Sequence, residues 1–134
     1  MDSLPPILES ALEHKLPPKT DYGIAFIGCG GIVNYGHIPS YAAHGFNMVG
    51  CYDINPEAAS KTVQEHGLKK VYATLDEVLD DPLVQIVDIA TMAWDRHTVV
   101  AKASATVNGL GFPGRSFSFS NAHPAYLHCG YRRC

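Results

Sequence analysis

An apolar strand that leads directly into a glycine cluster and then a helix most constrains the fold of this 134-residue chain. Residues 22–28, YGIAFIG, form an uncharged run of strand length, and the glycine-rich stretch 28–31 overlaps its end. The following residues have helical spacing as far as Ala43. A strand joined to a helix by a tight glycine turn is typical of a parallel α/β sheet.

The same alternation of strands and helices continues along the chain. Strands are predicted at 46–53, 69–73 and 84–91, and near-continuous apolar strands of this kind are buried on both faces. Together with the intervening helices they predict an α/β fold with a doubly wound parallel sheet of about four strands, in the order 3-2-1-4.

Cap signals predict where the helices begin and end. Asn55 precedes Pro56 at a helix start, and that helix is expected to stop at Gly67. Thr74 and Glu77 form a T-x-x-E capping box over a helix of one to two turns. After the fourth strand, a further helix is predicted from an Asp95 cap to roughly residue 105.

The chain divides into three regions. Residues 1–21 hold a short amphipathic helix at 3–16 and a proline linker, and residues 22–104 hold the α/β unit. Residues 105–134 are rich in Gly, Pro and Ser without a period, so they are interpreted as an irregular tail. A strand at the SFSFS segment is disfavoured. Its alternation of apolar and polar residues suits a sheet with one exposed face, whereas the position beside the fourth strand is expected to be buried on both faces. The fourth strand would then present an open edge, which predicts self-association.

Composition excludes several classes of function. Hydrophobic residues at 46% and charged residues at 17% indicate a folded globular chain. A net charge of −3 offers no basic excess for a phosphate backbone, so no nucleic acid partner is expected. No secretory signal or apolar membrane span is recognisable, and the four cysteines form no disulfide framework. A cytoplasmic protein without a membrane partner is predicted.

Metal binding is not expected either. One cluster has closely spaced candidate ligands, namely His123, His128, Cys129 and Cys134, but no regular element is predicted to orient them. Cys29, beside a helix N-terminus, is either a reactive thiol of lowered pKa or a small apolar filler, and the second interpretation is favoured.

The glycine motif predicts a dinucleotide site. Gly28 permits the tight turn, Gly30 lets a pyrophosphate approach the backbone, and Val33 stands where a small residue allows close packing of helix and strand. The free N–H groups and the positive end of the helix attract the diphosphate.

An acidic residue follows the second strand at the expected distance. Asp53 stands 20 positions beyond Val33, where a carboxylate can accept hydrogen bonds from both ribose hydroxyls. It would repel a 2′-phosphate, and Ile54 and Asn55 offer no arginine, so NAD is favoured over NADP. The alternative is that the glycine turn and Asp53 have structural roles only.

Several further residues carry a resemblance to a known family. They are the His-x-Pro of His37 and Pro39, Tyr72 followed by Asp76-Glu77-x-Leu79, and Ala90-Thr91 at a strand end. Over about residues 22–103 the sequence resembles the N-terminal half of the Gfo/Idh/MocA family, named for glucose–fructose oxidoreductase and inositol dehydrogenase. The resemblance implies a Rossmann fold and NAD(P)-dependent chemistry on sugars, inositols or related polyols.

The resemblance also implies which residues bind the dinucleotide. They are Gly28, Gly30, Gly31, Ile32, Asp53, Ile54, Thr91, Trp94 and His97. Trp94 and His97 would flank the nicotinamide ribose, with packing of the following helix as the alternative.

The sequence departs from the family pattern in the catalytic part. The family has Thr-Pro after the fourth strand and a histidine five residues past the threonine, whereas Met92 follows Thr91 here and His97 lies six residues on. The family's Glu-Lys-Pro motif, whose lysine takes part in proton transfer, does not occur, and Lys102 is not proposed to replace it. The resemblance places the substrate pocket in a second domain, which is expected to be missing here.

These departures predict a truncated chain that binds the dinucleotide but is inactive alone. A polyol substrate is expected to bind only to full-length members of the family. The alternative is a non-catalytic dinucleotide-binding or regulatory protein, as in a galactose-pathway repressor of this family.

Overall fold

The computed structural model describes residues 16–109 and 116–119. The strands are β1 (Ile24–Ile27), β2 (Met48–Tyr52), β3 (Lys70–Val71), β4 (Ile86–Ile89) and β5 (Ser116–Phe119). The helices are α1 (31–43), which contains a π-helical stretch Val33–His37 and an α-helical stretch Ile38–Ala43, then α2 (Pro56–His66), α3 (Leu75–Asp80) and α4 (Ala93–Gly109). Almost all of the helix predicted at 3–16 and all four candidate metal ligands at 123–134 lie outside the described residues.

The strands form one parallel sheet in the order β3-β2-β1-β4-β5. The α/β class and the predicted order of the first four strands are therefore confirmed. β1 lies at the centre, where Ile27 is in register with Tyr52 of β2 and with Ile89 of β4. The carboxyl ends of these three strands consequently meet at one edge of the sheet.

Both faces of the sheet carry an apolar layer, because successive side chains of a strand point to opposite faces. In β1, Ala25 and Ile27 join the layer beneath α3 and α4, whereas Ile24 and Phe26 join the layer beneath α1 and α2. All four side chains are at most 1% exposed. Burial on both faces explains why the strand sequence is continuously apolar rather than alternating.

A fifth strand lies in the region interpreted as an irregular tail. Val87 of β4 is in register with Phe117 of β5, and the two strands are parallel. The four predicted strands are therefore present with a fifth added beside β4, and the prediction of an open β4 edge is wrong. Backbone N–H and C=O groups of a buried strand require partners on both sides. The 17-residue α4 supplies a crossover long enough to bring one.

Helix α4 also differs from the prediction at both ends. It begins at Ala93 and extends to Gly109, so Asp95 lies in its first turn rather than at the cap. The Asp95 N–H donates a hydrogen bond to the Met92 carbonyl at 3.1 Å. An acidic residue is stabilising anywhere in the first turn of a helix, which is why its presence does not locate the cap.

The caps predicted for α2 and α3 are confirmed. Asn55 Oδ1 accepts a hydrogen bond from the Glu57 N–H at 3.1 Å, and Gly67 ends α2 with φ +66°. Thr74 Oγ1 accepts a hydrogen bond from the Glu77 N–H at 3.2 Å. The Glu77 carboxylate reaches back to the N–H of Ala73, one residue before the cap, at 2.9 Å. These short-range contacts fix the entry of each helix onto the sheet.

Candidate functional site

Three loops meet at the carboxyl edge of the sheet, after β1, β2 and β4. The Gly28 N–H donates to the Tyr52 carbonyl at 2.8 Å, and the Ala90 N–H donates to the Ile27 carbonyl at 2.9 Å. These bonds continue the sheet past the strand ends and bring the predicted residues Gly28, Asp53 and Thr91 to the same edge. In an open α/β sheet this edge, at the point where strand order reverses, is where ligands bind.

Gly28 makes the tightest turn of the site. Its φ is +100°, and a Cβ added there would lie 2.7 Å from the Ala90 carbonyl oxygen. A side chain would therefore be both strained and in collision with the backbone after β4. This close approach confirms that a tight turn requires glycine here.

The next two glycines face open space instead. A Cβ on Gly30 would meet nothing within 4 Å, and one on Gly31 would meet only the Tyr35 ring at 3.9 Å. Helix α1 begins at residue 31, so the N–H groups of its first turn lack acceptors within the helix. The neighbouring Ile32 side chain is 54% exposed. An anion can approach this loop and the positive end of α1.

Asp53 joins the loop after β2 to the glycine-rich loop. Its Oδ2 accepts a hydrogen bond from the Cys29 N–H and its Oδ1 accepts one from the Asn55 N–H, both at 2.8 Å. Asp53 therefore has the structural role that the sequence left open. A carboxylate has about four acceptor positions, so both oxygens can still accept from a ligand.

Cys29 lies beneath the glycine-rich loop. Its side chain is buried, and its Sγ donates to the Tyr52 carbonyl at 3.7 Å. The hydrogen bond with the Cys51 thiol and burial both raise the pKa of Cys29 above its ordinary value. A thiol with a raised pKa is a poor nucleophile, so the structure agrees with the apolar-filler interpretation.

Asn34 makes a network that sequence reasoning missed. Its Nδ2 donates to the carbonyls of Cys29 and Gly30 at 2.9 and 3.0 Å. Its Oδ1 lies 3.0 Å from both Thr62 Oγ1 and His66 Nε2 of helix α2. These α2 partners are 28 and 32 positions away, so no local pattern links them. The only local signal is an asparagine inside a helix, where its side chain often bonds to the backbone.

The side chains predicted on the β4 side are placed at the same edge. Thr91 follows β4, and its buried Oγ1 has no hydrogen-bond partner within the described part of the chain. Arg96 donates to the Thr91 carbonyl at 2.8 Å. Trp94 is 78% exposed and His97 is also exposed, both near the start of α4. On the β2 side, Ile54 is 79% exposed.

A buried acidic residue connects β4 to α1 below this edge. Asp88 is 1% exposed, and its Oδ2 lies 3.0 Å from both the Tyr41 hydroxyl and His37 Nδ1. Burial raises the pKa of Asp88, and His37 and Tyr41 partly oppose that rise. His37, part of the His-x-Pro motif, thus packs α1 against the central strands rather than facing the edge loops.

Within residues 16–109 and 116–119, no group of three His, Cys, Asp or Glu side chains could hold a metal ion. In the same ranges, no helix is long and apolar enough to cross a membrane. The polar groups at the sheet edge are backbone N–H groups, which donate hydrogen bonds, the Asp53 carboxylate, which accepts them, and the Thr91 hydroxyl. That set fits a dinucleotide better than a metal.

Comparison with protein families agrees with this geometry. Residues 22–108 match the Gfo/Idh/MocA model, described as an oxidoreductase family with an NAD-binding Rossmann fold. The chain belongs to this family. No curated protein matches the chain.

Solved structures of an NAD-binding protein and of two dehydrogenases share the fold. An NAD-binding protein from Listeria innocua is 26% identical, with a TM-score of 0.61 over 74% of this chain. The UDP-N-acetylglucosamine 3-dehydrogenase of Acidithiobacillus ferrooxidans is 25% identical, with a TM-score of 0.55 over 63% of this chain. The WlbA dehydrogenase of Bordetella pertussis, solved with NADH and UDP-GlcNAcA, is 26% identical, with a TM-score of 0.55 over 63%.

The matched region is a small part of each of these proteins. It covers 27% of the Listeria protein, 25% of the Acidithiobacillus enzyme and 26% of the Bordetella enzyme. The chain therefore spans about a quarter of the length of the solved structures that it matches.

Proposed function

We propose that this chain is the NAD-binding part of an oxidoreductase that acts on sugars or related polyols. The observation that carries the proposal is the meeting of the Gly28 turn, the open Gly30 loop and the Asp53 carboxylate at one sheet edge. Two of the similar structures are sugar-nucleotide dehydrogenases by name or by bound ligand, which supports the substrate class.

The nucleotide half of NAD is held by the first two loops. The N–H groups of Gly30, Gly31 and Ile32 bind the diphosphate at the start of α1. The Asp53 carboxylate accepts hydrogen bonds from the adenosine ribose hydroxyls, and the exposed Ile54 side chain offers apolar surface beside them. The Thr91 hydroxyl, which has no hydrogen-bond partner among the residues that the structure describes, lies with Trp94 and His97 on the side expected to hold the nicotinamide ribose.

The same geometry favours NAD over NADP. A 2′-phosphate would be placed against the negative Asp53 carboxylate, and residues 54 and 55 supply no cation to bind it. When bound, the nicotinamide ring supplies the hydride chemistry. The residues of this chain bind and orient the dinucleotide.

An Asp53→Asn variant tests the assignment. Asparagine keeps one acceptor oxygen but removes the charge, so we expect NADH to bind roughly tenfold more weakly and the preference over NADPH to shrink. Fluorescence titration with both nucleotides measures this. Lys61→Ala, an exposed change on α2, is the control and should leave both dissociation constants unchanged. Equal affinity of the unaltered chain for NADH and NADPH would contradict the proposal.

A second candidate function is a non-catalytic dinucleotide-binding or regulatory protein. It is favoured by one observation, that the 134 residues contain no Glu-Lys-Pro motif for proton transfer. Incubation of the chain with NAD and a panel of sugars and inositols tests the second candidate. NADH formation at 340 nm would contradict it, and binding without turnover is the result that it predicts.

A further inference from the structure

We infer that Asn34, held in place by Thr62 and His66, positions the glycine-rich loop for diphosphate binding. The inference rests on the proposed dinucleotide site but concerns residues that do not themselves contact the nucleotide. It follows from the hydrogen bonds that Asn34 makes on both of its sides.

The planarity of the peptide bond links Asn34 to the anion-binding N–H groups. In a trans peptide the C=O of one residue and the N–H of the next point in opposite directions. Asn34 Nδ2 holds the carbonyls of Cys29 and Gly30, at 2.9 and 3.0 Å. The N–H groups of Gly30 and Gly31 belong to those two peptides, so they are turned away from Asn34. A Cβ on Gly30 would meet nothing within 4 Å, so an anion has room to approach the loop there.

The orientation of the Asn34 amide is determined by its neighbours. Nδ2 faces two carbonyl oxygens, which accept only, so the NH₂ group must be on that side. Oδ1 then accepts from the Thr62 hydroxyl and from His66 Nε2, both at 3.0 Å. His66 can donate from Nε2 as a neutral ring or as an imidazolium. Thr62 is 1% exposed, so water cannot readily replace its hydroxyl.

The network also joins the two halves of the dinucleotide site. Asp53 holds the N–H of Cys29 while Asn34 holds its carbonyl, so the start of the loop is bound from two sides. Helix α2, which supplies Thr62 and His66, begins three residues after Asp53. The diphosphate loop and the ribose carboxylate therefore keep a constant separation.

Three ligands separate positioning of the loop from general stability. NAD and ADP-ribose contain the diphosphate, whereas adenosine reaches the Asp53 side without it. We expect Asn34→Ala to weaken the binding of NAD and ADP-ribose about tenfold. Thr62→Val should weaken it about threefold, since each substitution removes hydrogen bonds from the network. Adenosine binding, measured by ligand-observed NMR, should not change. Thr62→Ser keeps the hydroxyl and should restore NAD affinity, and Lys61→Ala should have no effect.

Hydrogen exchange of the full chain without nucleotide gives an independent readout. Asn34→Ala and Thr62→Val should exchange faster in the peptide covering residues 28–34, and Lys61→Ala should not. Unchanged NAD affinity in both variants would overturn the inference, as would equal weakening of all three ligands. If the original chain binds no NAD, the proposed function fails. The network is tested separately by hydrogen exchange, and it would be overturned if the Asn34→Ala and Thr62→Val variants exchange at the same rate as the original chain.

Discussion

Two glycines with left-handed backbone differ in what surrounds them. Gly28 has φ +100°, and a Cβ added there would collide with the Ala90 carbonyl. Gly45 has φ +69°, and a Cβ added there would meet nothing within 4 Å. Conformational strain thus applies to both positions, but steric collision applies only to Gly28.

Alanine substitutions separate these effects. We expect Gly45→Ala to lower the free energy of unfolding by about 1 kcal/mol, the cost of strain alone. Gly28→Ala should cost about 3 kcal/mol or more and abolish NADH binding, because the β1 and β4 loops must move apart. Urea unfolding and NADH fluorescence measure the two properties. Similar losses in both variants would show that the close approach to Ala90 is unimportant.

Asp81 is a second residue whose surroundings decide its behaviour. Its carboxylate accepts hydrogen bonds from the Leu83 N–H and the Tyr72 hydroxyl, both at 2.9 Å, and from Lys70 Nζ at 3.1 Å. Burial alone would raise the pKa of Asp81, but these contacts outweigh it and leave the pKa below its ordinary value.

A lowered pKa makes the stabilisation by Asp81 dependent on pH. It is fully present above the unfolded pKa of about 3.9 and is lost as pH falls through the lower folded value. We expect Asp81→Asn to cost about 2 kcal/mol at pH 7 and progressively less below pH 4. Urea midpoints at both pH values test this. Asp80→Asn, at the exposed neighbouring position, should stay within about 0.5 kcal/mol of the unaltered chain throughout.

At the scale of elements, the π-helical stretch of α1 stands out. A π-helical turn is an α-helix with one residue inserted, and such turns are frequent at functional sites. Tyr35 lies within the stretch Val33–His37 and is 89% exposed, so its side chain contributes little packing. The wider turn lets Asn34 face the glycine loop while His37 faces Asp88.

Deletion of Tyr35 should therefore be tolerated. Removing one residue from the stretch restores an α-helix with both flanks in register, and we expect a loss below about 1 kcal/mol. Deletion of the exposed Lys61 from the regular α2 is the matched control. It turns Thr62 and His66 by about 100°, so it should lower the melting temperature by at least about 10 °C. Thermal melts that rank the two deletions in the opposite order would contradict this role of the π-helical stretch.

At the scale of the whole molecule, β5 closes the sheet beside β4. The sheet edges are β3, with two residues, and β5, with four. Without β5, the apolar strand Ile86–Ile89 would present unpaired N–H and C=O groups to other chains.

Two shortened chains test the role of β5. A chain ending at residue 109 loses β5 and should elute as larger species in size-exclusion chromatography than the 134-residue protein does. A chain ending at residue 120 keeps β5 and should elute with the same distribution of species as the full chain, allowing for its mass. Identical behaviour of the two shortened chains would show that pairing with β5 does not protect β4.

The sequence alone determined the elements whose signals are local. Asn55, Gly67 and Thr74 mark helix ends through contacts within four residues along the chain, and these predictions are confirmed. The strand order also followed from the sequence, because crossovers in parallel sheets obey strict rules of connection. Gly28 and Asp53 were found at the sheet edge because their motif has a fixed spacing around one strand, one turn and one helix.

Only the tertiary structure decided which side chains meet across the fold. Thr62 and His66 approach Asn34, and His37 approaches Asp88, through sequence separations of 28 or more. The strand Ser116–Phe119 was rejected on local pattern, yet it pairs with β4. Local propensity is a weak preference, whereas an unpaired edge of a buried strand leaves several backbone groups without partners. These backbone groups need hydrogen-bond partners only once the sheet has formed. No short stretch of sequence therefore indicates which segment will pair with them.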